Sequence, residues 1–189
     1  MDKKEEFKSV VDLAIDREGI DDLMGWLEET DFYTAPASTR YHGAHEGGLV
    51  EHSLAVYDRL VGLVNFYSNE DSDPIYNESL AIVSLFHDLC KVNCYKPDTR
   101  NVKDDKGVWH KVPCYKYEEQ FPFGGHGSKS VYLVQHFMHL DPEEAAAINC
   151  HMGQFDATTY SNPSPVYSQN KLAWLLHVAD EAATFIDGR

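Results

Sequence analysis

His87 and Asp88 are adjacent residues that stand inside an otherwise apolar run, residues 81–89. A carboxylate surrounded by apolar side chains is costly unless a partner compensates for its lost hydration. A bound metal ion is one such partner, and imidazole nitrogen and carboxylate oxygen are ligands that suit divalent transition metals. The pair therefore predicts a metal-binding site.

Further candidate ligands precede and follow this pair. In chain order the whole set is His52, His87, Asp88, His126, His151 and Asp180. These residue types suit one or two ions of Mn, Fe, Zn, Ni or Co, and one carboxylate could bridge two ions. Two such ions activate water and stabilise the leaving oxygen in phosphate hydrolysis. A lone histidine on an apolar helix face is more often a core residue. That interpretation applies to His136, His139 and His177.

Helices must position these ligands, and the spacing of apolar residues predicts where the helices lie. We expect them at about 5–15, 21–29, 48–68, 76–91, 126–139, 141–151 and 169–185, with loops at 31–47 and around Pro163 and Pro165. The segment 141–144, Asp-Pro-Glu-Glu, is typical of a helix start, with Asp as N-cap and Pro at the first helical position. Each candidate ligand falls on or near a predicted helix.

Residues 101–112 depart from the helical pattern. They predict a small β-hairpin around a turn that contains Gly107. The expected fold class is therefore all-α, a helical bundle with a β-hairpin insertion near residues 99–118. The chain has 189 residues and shows no composition change that marks a boundary, so we expect one domain over 1–189.

Apolar content and cysteine usage bear on location. No apolar stretch reaches the roughly 18 residues that span a bilayer, and residues 1–6 lack the apolar core of a signal peptide. We expect no membrane association and a cytoplasmic location, where thiols stay reduced. Cys90, Cys94, Cys114 and Cys150 are interpreted mainly as buried small side chains; a zinc site formed by the first three is the alternative.

Charge is distributed unevenly along the chain. The formal net charge of −15 disfavours binding to long nucleic acid, which requires clustered Lys and Arg. Residues 91–129, however, carry eight of the sixteen basic residues against five acidic ones, a net charge of +3. This basic segment is either a solvated surface loop or part of a site for a phosphorylated small molecule.

Several side chains are candidates for contact with such a substrate. Phosphate oxygens could be held by Lys91, Lys129, Arg40 or Arg100, and proton transfer could involve Glu46 or His45. Lys129 could equally be an exposed helix lysine. Stacking on a base or covering of the cleft, as opposed to packing of the hairpin, could involve Tyr95, Trp109, Tyr115, Phe121 and Phe123.

The order of these segments resembles the HD superfamily of metal-dependent phosphohydrolases. The matching segments are His42–Ser53, Phe86–Lys91, Gly125–Ser130, His151–Gly153 and Val178–Asp180. The resemblance covers most of the chain, with an HD core at 40–185 preceded by N-terminal helices at 1–39. The GGLxEHS and HDLxK patterns are specific, whereas the shorter pieces gain weight only from their order.

The resemblance implies a role for each matching residue. His52, His87, Asp88 and Asp180 would form a first metal site with Asp88 as the bridge, and His126 and His151 would complete a second site. Asp88 and Lys91 would be catalytic, Lys91 by contacting substrate phosphate. Two positions depart from the pattern. Cys90 stands where HD-x-G-K has glycine, and Met152 stands where a second histidine is frequent.

These observations favour a phosphohydrolase that acts on a nucleotide or another small phosphorylated metabolite through metal-activated water. Two enzymatic alternatives stay open: a 3′-to-5′ exonuclease on single-stranded RNA or DNA, and an HD-fold mixed-valent di-iron oxygenase. A non-catalytic binding protein is a further alternative, which the intact ligand set disfavours. The sequence leaves the substrate, the metal and a homo-oligomeric state undetermined.

Overall fold

Apolar positions at helical spacing place an amphipathic helix at each end of the chain and a mostly buried one in the middle. The computed structural model describes residues 2–68, 77–120, 123–156 and 162–188. Its helices are α1 (Lys3–Ala14), α2 (Ile20–Glu28), α3 (Gly48–Tyr67), α4 (Asn77–Phe86), α5 (His126–Phe137), α6 (Pro142–Cys150), α7 (Ser164–Gln169) and α8 (Lys171–Ala182). The strands are β1 (Tyr95–Lys103) and β2 (Trp109–Tyr117). The predicted helical fold with a small hairpin is confirmed.

Helix α4 is the centre of the helical part. All residues from Leu80 to Phe86 are buried, as expected for a helix that other elements surround. The ring of Phe86 packs edge-on against Phe7 of α1, which in turn contacts Phe32 after α2. Burying each such ring contributes about 1.5–3 kcal/mol, so the N-terminal helices are attached to the core by apolar contact.

A partly buried ionic network joins α4 to α6. Arg17 donates to Glu78, with nitrogen and oxygen 2.8 Å apart, and also to the nearly inaccessible Glu144. Glu144 accepts a second bond from Ser79 Oγ at 2.7 Å and caps the backbone nitrogen of Asp141 at 2.9 Å. This capping box confirms the predicted start of α6.

The hairpin was predicted near residues 99–118, and it begins four residues earlier and ends at Tyr117. β1 pairs with β2 in antiparallel register from Tyr95 opposite Tyr117 to Lys103 opposite Trp109. Pro97 and Pro113 lie within the strands, which is permitted because a two-stranded sheet has only edge strands. The turn forms as predicted, with Gly107 at a positive φ of 80°.

One helix boundary and one loop also differ from the sequence prediction. The helix expected to reach Lys91 ends at Phe86, and a short 3₁₀ helix, Leu89–Lys91, follows. The imidazole of His87 donates to the carbonyl of Ser84, which would otherwise accept a helical backbone bond. The region of Pro163 and Pro165, expected as loop, forms the short helix α7, and the predicted residue 76 lies outside the described residues.

Close backbone contacts fix two ligand-bearing segments. A side chain at Gly48, the first residue of α3, would lie 1.9 Å from the carbonyl oxygen of Gly43. A side chain at Gly127 in α5 would lie 2.3 Å from the carbonyl oxygen of Asn149 in α6. Gly127 therefore lets the segments that carry His126 and His151 approach each other, and Gly48 lets the preceding loop close onto the start of α3, which carries His52.

Candidate metal centre

The six predicted metal ligands lie in one cluster of donor groups that share His87 and Asp88. His52 comes from α3, His87 and Asp88 follow α4, His126 begins α5, His151 ends α6 and Asp180 lies on α8. Their donor atoms form three overlapping groups, within each of which all atoms lie within 4.8 Å of one another. The groups are His52, His87 and Asp180; His87, Asp88 and His151; and Asp88, Cys90 and His126.

Backbone carbonyls orient two of the imidazoles. Nδ1 of His87 lies 2.7 Å from the Ser84 carbonyl oxygen, and Nδ1 of His151 lies 2.7 Å from that of Ile148. Because a carbonyl only accepts, each ring donates from Nδ1, and each neutral ring keeps a lone pair on Nε2. This is the usual way in which a protein presents histidine nitrogen to a metal ion.

These lone pairs face carboxylate oxygens. Nε2 of His87 lies 3.4 Å from Asp88 Oδ2, and Nε2 of His151 lies 3.6 Å from Asp88 Oδ1. Asp88 Oδ1 and His151 Nε2 are buried and have no hydrogen-bond partner. Acceptors that face each other in a buried site repel unless a cation or a proton lies between them. The donor set therefore fits a divalent cation.

His52 and Asp180 form the other side of the cluster. Nε2 of His52 lies 3.0 Å from Asp180 Oδ1 and 3.4 Å from Nε2 of His87. Burial lowers the pKa of His52, although Asp180 opposes the effect, so the ring is neutral at pH 7. Burial would raise the pKa of Asp180, but the His52 hydrogen bond and the neighbouring imidazoles outweigh it and lower the pKa. A neutral imidazole beside an ionised carboxylate is the state that binds a cation.

Asp88 and Lys91 are an ion pair at the bottom of the site. Lys91 Nζ lies 2.6 Å from Asp88 Oδ2, and both side chains are buried. Burial would raise the pKa of Asp88, but the ammonium of Lys91 and, after it, the interaction with the His87 ring hold it well below its usual range. The same carboxylate outweighs burial at Lys91 and raises the pKa of the ammonium. Both groups therefore stay charged at neutral pH.

A cleft of about 840 Å³ opens above this pair. Asp88, Lys91, His126 and Asp180 line its floor. Its walls include side chains with apolar faces: Tyr41, Tyr95, Tyr117, Met152, Phe155 and Phe185. Its volume lies in the range typical of small-molecule sites.

Among the predicted substrate contacts that the structure describes, Lys91 and Tyr95 line this cleft and the others do not. Arg40 is exposed and donates to its neighbour Tyr41 at 2.9 Å, and Glu46 is exposed as well. Lys129 is buried, not exposed, and its ammonium pairs with Glu119. Substrate contact by these three residues stays a prediction that their positions do not support.

The aromatic residues of the hairpin separate into two groups. Tyr95 lines the cleft, and Tyr115 packs against it with ring centroids 6.5 Å apart. Trp109 lies at the far end of the hairpin, 65% exposed, with Lys103 above its ring. Phe123 packs edge-on against Tyr132, and Phe121 lies outside the described residues. The geometry thus supports a cleft role for Tyr95 and not for Trp109.

His42 is a cleft residue that the sequence prediction did not include among its candidates. Its ring packs on that of His52, with centroids 4.9 Å apart, and its Nε2 is buried without a hydrogen-bond partner. Burial lowers the pKa of His42 to about 4. Its position at the start of the segment His42–Ser53 was the available signal, because that segment also carries His52.

The cysteines do not form the alternative zinc site. All four are free thiols, and the described residues contain no ligand group that joins Cys90, Cys94 and Cys114. Cys94 donates to the carbonyl oxygens of Cys90 and Val92, at 3.2 and 3.4 Å. Cys90 instead lies beside Asp88, where burial first and the carboxylate second raise its pKa to about 12.

Comparison with protein-family models, with curated proteins and with solved structures finds no match to this chain. The resemblance to the HD superfamily therefore rests on the sequence motifs and their order alone. Among the described residues, no helix is both long and apolar enough to cross a bilayer.

Proposed function

We propose that the protein is an HD-type, metal-dependent phosphohydrolase that acts on a nucleotide or another small phosphorylated metabolite. The observation that carries the proposal is that all six predicted ligands fall into three overlapping groups of donor atoms, linked through His87 and Asp88. Asp88 belongs to two of the three donor groups, which supports its role as a bridge between two ions. Bound there, divalent ions supply an activated water and offset phosphoryl charge.

Lys91 supports a phosphorylated substrate. Its ammonium is buried, held against Asp88 Oδ2 at 2.6 Å, and directed to the floor of the cleft. An ammonium in this position donates charge-assisted hydrogen bonds to a phosphoryl oxygen and offsets its charge. Because the pair with Asp88 fixes the lysine beforehand, little side-chain freedom is lost when substrate binds.

The walls of the cleft support a small substrate with a flat aromatic part. Tyr95, Tyr117 and Phe155 line the cleft, and their rings could stack on a base, a contact that contributes about 1–3 kcal/mol in nucleic-acid sites. Glu181 also lines the cleft, and among its described lining residues Lys91 is the one lysine or arginine. This charge balance disfavours a long polyanion and hence the exonuclease alternative.

The test is a panel of mono-, di- and triphosphorylated nucleotides and sugar phosphates, assayed for phosphate and pyrophosphate release with Mn, Co, Ni, Zn or Fe(II). We expect hydrolysis of at least one small substrate, with activity lost in chelator and restored by metal. Hydrolysis of single-stranded oligonucleotides alone would contradict the proposal. The di-iron oxygenase shares the ligand set, so iron content after purification without added metal separates the two functions.

A further inference from the structure

Cys90 occupies a position in which a thiol can reach the candidate metal centre. It lies two residues after Asp88 in the 3₁₀ helix, and its side chain is fully buried. Its sulfur, a carboxylate oxygen of Asp88 and a ring nitrogen of His126 all lie within 4.8 Å of one another. The resemblance places glycine at this position, which offers no ligand atom.

Two polar atoms beside this thiol lack partners. Asp88 Oδ1 and His126 Nδ1 are buried with no hydrogen-bond partner, and the Asp88 side chain is only 2% exposed. A buried polar atom without a partner destabilises the folded protein, so a bound group is expected to satisfy them. A cation held by sulfur, oxygen and nitrogen satisfies both atoms.

The distances are compatible with a metal ion. Zinc-type bonds are about 2.0–2.1 Å to nitrogen and about 2.3 Å to sulfur, so donors at 4.8 Å need to move inward by roughly half an ångström each. Side-chain rotation in the 3₁₀ turn and at the start of α5 can supply this movement. His151 Nε2 also faces Asp88 Oδ1, at 3.6 Å, so Cys90 adds a donor to this side of the carboxylate.

We propose that the Cys90 thiolate, together with His126 and Asp88, binds the second metal ion. On binding, the S–H bond breaks, a sulfur–metal bond forms and the proton passes to solvent. Because thiolate is a soft ligand, the second site prefers zinc, cobalt or iron to manganese or magnesium. The inference rests on the metal centre of the proposed function, but not on the identity of its substrate.

Cobalt(II) titration of the metal-free protein tests this ligand directly. Thiolate bound to cobalt gives a near-ultraviolet charge-transfer band that imidazole and carboxylate ligands do not give. We expect two equivalents of cobalt to bind and one of them to produce the band. In Cys90→Ser the band disappears, and the second equivalent binds at least about 10–100-fold more weakly, the loss typical of even an outer contact.

Two further variants serve as controls. Cys94→Ser removes a thiol that is as buried as that of Cys90 but donates to backbone carbonyls. The cobalt charge-transfer band should therefore remain in this variant. Cys90→Gly installs the glycine of the resembling family and loses the band without adding a hydroxyl. Circular dichroism and melting temperature verify that each variant is folded before titration.

The outcomes separate two failures. If wild-type protein binds cobalt without the band, or if Cys90→Ser retains the band, the Cys90 ligand is wrong and the metal centre stands. If wild-type protein binds no cobalt, zinc or manganese, the metal centre itself is wrong and both proposals fail. Equal affinity for the second equivalent in wild type and both Cys90 variants also contradicts the thiolate ligand.

Discussion

The helical core around Asp88 and the β1–β2 hairpin use charge in opposite ways. In the core, His87, Asp88 and Lys91 are all buried, and Asp88 Oδ2 lies 3.4 Å from His87 Nε2 and 2.6 Å from Lys91 Nζ. On the hairpin the basic side chains are exposed: Lys96, Arg100, Lys103, Lys106, Lys111 and Lys116. A few desolvated charges therefore indicate chemistry more strongly than a larger number of solvated ones.

The basic segment 91–129 therefore divides into parts. The lysines of the hairpin lie exposed to solvent, as the interpretation of a solvated surface loop expects. Two of them, Lys96 and Lys116, pair with Glu118 at 2.6 and 3.4 Å. Only Lys91 of this segment's basic residues lines the cleft. Exposed pairs of this kind contribute about 0–1 kcal/mol, so the hairpin charges affect solubility more than stability.

The largest expected effect is at the centre of the core. Asp88→Ala removes the carboxylate that two donor groups share, so metal content and hydrolysis should both fall to background. Elemental analysis and a phosphate-release assay on the same preparation measure the two losses. Hydrolysis at the wild-type rate in this variant would contradict the mechanism.

A smaller effect is expected at Lys91. Lys91→Ala keeps all six ligands, so metal content should stay the same while kcat falls by about 10²–10³, as on loss of one charge-stabilising donor. Lys129→Ala is the matched control, because Lys129 is also a buried lysine but pairs with Glu119 and does not line the cleft. An equal fall in kcat in the two variants would show that Lys91 has no specific role in the reaction.

Metal removal should destabilise the core. An ion at 100 times its Kd stabilises the folded state by about 2.7 kcal/mol. For a chain of this size, that corresponds to a fall of roughly 5–10 °C in melting temperature when a chelator is added. Differential scanning calorimetry with and without chelator measures it. The Asp88→Ala variant should show no such response, and a response as large as that of wild type would place the ion elsewhere.

Acid should lower the free energy of unfolding through protonation of His42. Its folded pKa of about 4 lies below the ordinary 6.5, so between these values the unfolded chain binds a proton that the folded chain does not. The free energy of unfolding must therefore fall as pH falls from 6.5 to 4. In chelator, urea unfolding of His42→Gln should show a weaker pH dependence than wild type. An unchanged slope would show that His42 is not neutral in the folded protein.

The smallest effect is expected at the hairpin end. Trp109→Ala should change the free energy of unfolding by no more than about 0.5 kcal/mol, since the side chain is 65% exposed. KM should also be unchanged, because Trp109 does not line the cleft. A clear rise in KM would show instead that the hairpin closes over bound substrate.

Local signals in the sequence predicted much of this fold. The Asp141 cap and Pro142 define the start of α6 through their nearest neighbours, and Gly107 defines a turn by its own conformation. The end of α4 was predicted wrongly because it depends on the ring of His87 competing for a carbonyl. The α7 helix was missed because Pro163 and Pro165 were interpreted as loop, although Pro at a first helical position is favourable.

The candidate site shows the same division. The ligand types and their order predicted which residues converge, because a carboxylate in an apolar helix requires a partner. The burial of Lys129 and its pairing with Glu119 were not predictable, since they depend on how the segment after the hairpin meets α5. His42 and Cys90 lie within the sequence motifs, but their approach to the cluster follows from tertiary packing alone.

The contact between Gly43 and Gly48 limits the positions at which this chain tolerates substitutions and insertions. A Cβ at residue 48 would lie 1.9 Å from the Gly43 carbonyl oxygen, and Gly43 itself has a positive φ of 55°. Insertions or larger residues between 43 and 48 would move the start of α3 and carry His52 away from the cluster. The hairpin turn around Gly107 has no such neighbour, so a peptide tag or reporter domain inserted there should leave the metal centre intact.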